Sequence, residues 1–105
     1  MHTAVNITSI EAYRLKAAKL SESRRAVYAV IVQYGPISNK GILDFLQRTE
    51  PWEHWEINKI TGRNKELRDM GFVEHAGYAM DDKSGCKVHL WRPMPERVEP
   101  QIKLF

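Results

Sequence analysis

Residues 56–92 read EINKITGRNKELRDMGFVEHAGYAMDDKSGCKVHLWR, and the change of hydrophobic period inside them decides the fold. Up to Met70, the residues Ile57, Ile60, Leu67 and Met70 recur at helical spacing and form one apolar stripe. Glu56 suits the positive end of the helix dipole, and Gly71 stops the helix. Beyond Gly71 the period falls to two. Val88 and Leu90 alternate with Lys87, His89 and Trp91, so one face can pack while the other meets solvent or a partner. Phe72–Ala76 and Cys86–Arg92 therefore read as two strands. Gly77–Gly85, rich in Gly, Asp, Lys and Ser, reads as the loop of a hairpin.

Working outward toward the N-terminus, three more helices precede this unit. The first spans Ser9 to Leu20, with Ile10, Tyr13, Ala17 and Leu20 on one stripe and Ser9 or Thr8 as its cap. The second spans Glu22 to Tyr34. Its residues Val27, Val30, Ile31 and Tyr34 follow the pattern of a core-facing helix. Gly35-Pro36 ends it, with Gly35 expected in the left-handed cap conformation. Ile37 suits a very short strand. Ser38 caps a third helix over Asn39–Gln47, which turns Ile42, Phe45 and Leu46 inward. The linker Arg48–His54, punctuated by Pro51, is longer than a tight helix-turn-helix turn, and Trp52 and Trp55 are expected to pack into the core.

Three helices and a hairpin, with a short strand after the first of the three, is the order of a winged helix. The fold class is thus α+β, mainly α, with an extra N-terminal helix. In this fold the last helix before the hairpin is the recognition helix, since the major groove admits one helix, and the hairpin is the wing. Pro93, Pro95 and Pro100 then punctuate a polar stretch, so residues 1–92 form the domain and 93–105 an extended tail.

Composition narrows the function classes. A chain of 105 residues is one domain, and 43% apolar content suffices for a core. The single cysteine, Cys86, cannot form an internal disulfide, which fits a reducing, cytoplasmic setting. No apolar run reaches membrane-spanning length, and the N-terminus lacks the order of a signal peptide. The net charge of +3 permits a polyanionic partner without requiring one. No Gly-rich phosphate loop precedes a helix. His75 and His89 can face each other near Cys86, yet no zinc-type spacing exists. Glu53, His54 and Glu56 form no recognisable acid–base set. The expectation is a non-enzymatic protein without metal or cofactor.

The candidate recognition helix is the most basic segment. Its apolar stripe leaves Asn58, Lys59, Thr61, Gly62, Lys65 and Glu66 on the exposed side, with Arg63 and Arg68 at the flanks. Four of positions 59–68 are Lys or Arg against one Glu. Lys and Arg neutralise phosphates, and Asn or Arg can read base edges. The wing adds Lys83 and Lys87, with Arg92 at its base, while Asp81 and Asp82 offset them. Gly62 in mid-helix costs about 1 kcal/mol relative to Ala, which a close approach of backbone to DNA or to another helix would explain. The plainer reading of the same charges is a solvated helix face.

The segment Trp55–Val73 resembles a pattern of small phage and prophage winged-helix proteins: Trp-x-Ile-Asn-basic-apolar-Thr-x-Arg, then Glu-Leu-Arg and a Gly. Gly35-Pro36-Ile37-Ser38-Asn39, Ser84-Gly85 and Val88-His89-Leu90-Trp91 also resemble it, so the similarity runs over roughly residues 10–92. More distantly, Leu67–Val73 is similar to the helix end and strand of MarR-type regulators. The resemblance implies double-stranded DNA binding through Asn58, Lys59, Thr61 and Arg63. Asn64 departs from the pattern, which puts an apolar residue there; unpaired on a buried stripe it would cost about 1–3 kcal/mol. In the tail, Gln101-Ile102-Lys103-Leu104-Phe105 is similar to the Gln-Leu-(Ser or Asp)-Leu-Phe peptide that docks bacterial proteins on the replication sliding clamp, with Lys103 as the departure. Gln101 would supply donors and acceptors, and Ile102, Leu104 and Phe105 would fill an apolar pocket. Alternatively these three fold back onto the domain. Two function classes stand: a DNA-binding regulator or replication/recombination accessory factor, and a protein-interaction module. A second apolar face of the first helix, with Ala12 and Leu15, permits a homodimer.

Overall fold

A computed structural model describes residues 13–95. The residues expected to start the N-terminal helix, including Thr8, Ser9, Ile10 and Ala12, lie outside them, as do tail residues 96–105. The chain is helical over 13–17 and closes in a turn that buries Ala17 and Leu20. α1 (Glu22–Tyr34) follows, then α2 (Asn39–Thr49), a 3-10 turn (Pro51–Glu53), α3 (Ile57–Asp69), β1 (Val73–Met80) and β2 (Lys87–Pro93).

Each boundary has a local cause. The Ser38 hydroxyl accepts a bond from the Gly41 amide at 3.0 Å and so caps α2. Gly35 is not left-handed, contrary to the sequence reading; its φ is −64°. Glycine is needed there for space. A Cβ would lie 2.5 Å from the Ile31 carbonyl oxygen and 3.0 Å from that of Trp91. This close approach lets Ile37 bridge to Trp91 through two backbone bonds of 3.0 and 2.9 Å, an isolated bridge in place of the expected short strand.

The core joins α1, α2, α3 and the base of the hairpin around Val27, Ile31, Ile42, Leu46, Ile60, Leu67 and Val73. Several positions differ from the sequence reading. Tyr28 is buried and Tyr34 is 50% exposed, resting on half-buried Phe45. Ile57 and Met70 are each 42% exposed, because they sit at the two ends of α3, beyond the reach of α1 and α2. Trp55 is buried as expected, but Trp52 is 68% exposed, carried outward on the 3-10 turn. Trp91 is buried and belongs to the packing face, whereas Val88 and Leu90 are only half-buried.

The hairpin is longer than expected. Residues assigned to the loop from Gly77 onward continue β1, because an irregularity between His75 and Tyr78 absorbs extra residues without ending the pairing. Gly77, at φ 109°, supplies the conformation this requires. The turn shrinks to residues 81–86. The arrangement is a winged helix: a mainly helical domain with a two-stranded antiparallel wing. Among the described residues no helix is long and apolar enough to cross a membrane.

Candidate nucleic-acid interface

At about 3.6 residues per turn, burying Ile60, Asn64 and Leu67 aims the opposite side of α3 at solvent. Asn58, Thr61 and Lys65 are exposed there, with Gly62 half-buried between them. A Cβ at Gly62 would meet nothing within 4 Å, so no packing within the domain requires glycine there. The Thr61 hydroxyl donates back to the Ile57 carbonyl at 2.9 Å.

The four cations of α3 occupy different surroundings. Lys65 pairs with Asp69 at 3.0 Å along the exposed face. Lys59 sits 4.5 Å from the Trp55 ring centroid and 4.0 Å from a Glu53 carboxylate oxygen. The Arg68 guanidinium lies 4.4 Å over the Trp91 ring and couples α3 to the wing. Arg63 turns toward α1: its Nε is 3.2 Å from Glu66 Oε1, and one terminal nitrogen donates to the Ser23 hydroxyl at 3.4 Å. Arg24 of α1 donates to the same Glu66 oxygen at 2.7 Å. That bond, joined by the charges of Arg63 and Arg24 and opposed by partial desolvation, holds the Glu66 carboxyl below its ordinary value. Exposed ion pairs contribute only about 0–1 kcal/mol, so Lys65 can exchange Asp69 for a phosphate at little cost. Arg63 is tied into a network with Ser23, Glu66 and Arg24.

On the wing, Lys83 and Lys87 are exposed, and the Lys87 ammonium lies 5.4 Å from the Tyr78 ring. Arg92 is spent on Glu74, directly across the ladder, at 2.6 Å. Asp81 accepts from Ser84, which lowers its carboxyl pKa. His75 and His89 meet at 3.0 Å and form an exposed aromatic strip with Tyr78 above the buried Trp91. Among the described residues no group of three or more His, Cys, Asp or Glu could hold a metal ion. Cys86 is free and exposed.

Two features escaped sequence reasoning. Arg24 joins α3 through Glu66, a contact 42 residues apart that no local pattern signals. Lys40, on the first turn of α2, faces Lys87 and His89 across a cleft of about 260 Å³. The clamp-motif residues Gln101, Ile102, Leu104 and Phe105 lie outside the described residues.

No family model matches the chain, and no curated protein matches it significantly. Among solved structures it is similar to PerR of GAS in its Zn-Zn form, with a TM-score of 0.57 and 23% identity over 83% of this chain and 52% of that one. The chain thus spans about half the length of that protein. At this identity the likeness speaks for the fold, and it agrees with the winged helix described above.

Proposed function

We propose that this chain is a non-enzymatic, cytoplasmic, double-stranded DNA-binding protein of phage or prophage type. It would act as a transcription regulator or as a replication/recombination accessory factor. The observation that carries the reading is the outward ridge of α3, where Asn58, Thr61, Gly62 and Lys65 stand clear of the core beside a wing bearing Lys83 and Lys87. In this reading the ridge enters the major groove, Asn58 reads a base edge, and Lys65 with the wing lysines neutralises phosphates. Lys59 and Arg63 join after leaving their internal partners. The tail motif Gln101–Phe105 would dock on the sliding clamp, and the exposed Leu15 leaves room for a homodimer through the N-terminal helix.

The deciding experiment is fluorescence anisotropy of a labelled duplex at several salt concentrations. A log–log slope of about −3 to −6 supports phosphate neutralisation by several cations. Absence of binding at low salt would falsify the reading. Removing residues 101–105 should leave DNA affinity unchanged and abolish clamp binding; clamp binding that survives the deletion sinks the tail assignment.

A second reading is a protein-interaction module without DNA binding. It is favoured by the internal partners that all four α3 cations already have, and by the exposure of Trp52.

A further inference from the structure

The longest departure from a tight helix-turn-helix turn is the linker before α3, and it builds a cleft on the side of α1. The cleft holds about 390 Å³ between the first turns of α1, Tyr13 and the 3-10 turn. Three carboxylates line it, those of Glu22, Glu50 and Glu53. Among the described residues the one cation in the lining, Arg25, donates to the carbonyls of Ala17 and Leu20. The lining is therefore acidic in a chain whose net charge is +3. Two indoles complete it, the exposed Trp52 and the buried Trp55. The Trp55 indole N–H is buried and has no partner among the described residues.

The geometry points to a cleft that receives a lysine or arginine side chain of a partner protein. Carboxylates supply the counter-charge, and an indole face attracts a cation through its quadrupole. The linker already handles one ammonium this way, since Lys59 sits between the Trp55 ring and Glu53. Nucleic acid is the wrong occupant, because three carboxylates repel a phosphate backbone. Lys59 already answers Glu53, so a neutral apolar ligand would add no counter-charge for Glu22 and Glu50. This inference is independent of the DNA reading and survives its failure.

The test is a titration of the full-length protein with N-acetyl-lysine methylamide and N-acetyl-arginine methylamide, with N-acetyl-norleucine methylamide as the neutral isostere. The indole N–H signals of Trp52 and Trp55 are followed by NMR. The expected result is a saturable shift of both signals with the cationic probes, at least about five-fold weaker with norleucine. The Trp55 shift should be lost in Trp52→Ala and in the double variant Glu50→Gln/Glu53→Gln, each checked for its fold by circular dichroism. Equal response to norleucine, no response to either cation, or an undiminished response in the folded variants overturns the proposal. So does a response seen only in a chain ending at Pro95, which would make residues 96–105 the occupant.

Discussion

Asn64, fully buried in α3, donates from Nδ2 to the Oδ1 of Asn39 on the first turn of α2 at 2.7 Å. A polar residue on the core stripe is therefore a tie between the two helices of the helix-turn-helix. Asn39→Ala strands a buried amide and should cost about 1–3 kcal/mol. Pairing it with Asn64→Leu should recover part of that loss, because the unpaired donor is gone. Urea denaturation of the two variants and the parent measures this. A double variant no more stable than Asn39→Ala would show that the bond is not what makes Asn64 tolerable.

Two glycines should respond to alanine with opposite signs. At Gly35 the new Cβ collides with two backbone carbonyls, so Gly35→Ala should destabilise by about 1–3 kcal/mol and loosen the Ile37–Trp91 bridge. At Gly62 the space is open, so Gly62→Ala should stabilise by about 0.5–1 kcal/mol through helix propensity. If backbone approaches DNA there, the same variant binds duplex more weakly despite its higher thermal midpoint.

Glu66 should shape the acid limb of stability. Its carboxyl is held below the ordinary value near 4.5, first by the bond from Arg24. A depressed folded-state pKa means that the ionised form stabilises the fold. The contribution is complete above the ordinary value and is lost as pH falls through the lowered one. Glu66→Gln should therefore lose stability near neutral pH, and its deficit against the parent should shrink as pH falls below the ordinary carboxyl value and through the lowered one. Parallel denaturation profiles from pH 7 to pH 3 would count against this.

The cations of α3 should not be equivalent in DNA binding. Lys65→Ala should lower the magnitude of the salt slope by about 1, as expected for one lost phosphate contact. Arg63→Ala should change it less, because Glu66 and Ser23 already engage that side chain. In a Glu66→Gln background Arg63 is released, affinity should rise, and removal of Arg63 should then cost as much as removal of Lys65. Equal slopes for the two single variants would mean that Arg63 exchanges its partners freely.

Sequence by itself determined the element order, because period is a local property. α1 falls on its expected residues, and α3 begins and ends within a residue of its pattern, since a helix records its buried side every three or four positions. The ridge of α3 was legible for the same reason: knowing which residues are buried fixes which ones remain outside. Only the tertiary structure decided the rest. Whether Trp52 or Trp55 enters the core depends on how the linker turns, and the 3-10 turn carries one outward while the other packs. The buried place of Trp91 depends on its bridge to Ile37, far away in the chain, which overrides the alternation of the hairpin. Arg63, Glu66 and Arg24 meet because two helices pack, so a charge that looks outward in sequence is drawn to a neighbouring helix. Periodicity says which side of an element faces the core; it carries no information about which other element stands beside each flank.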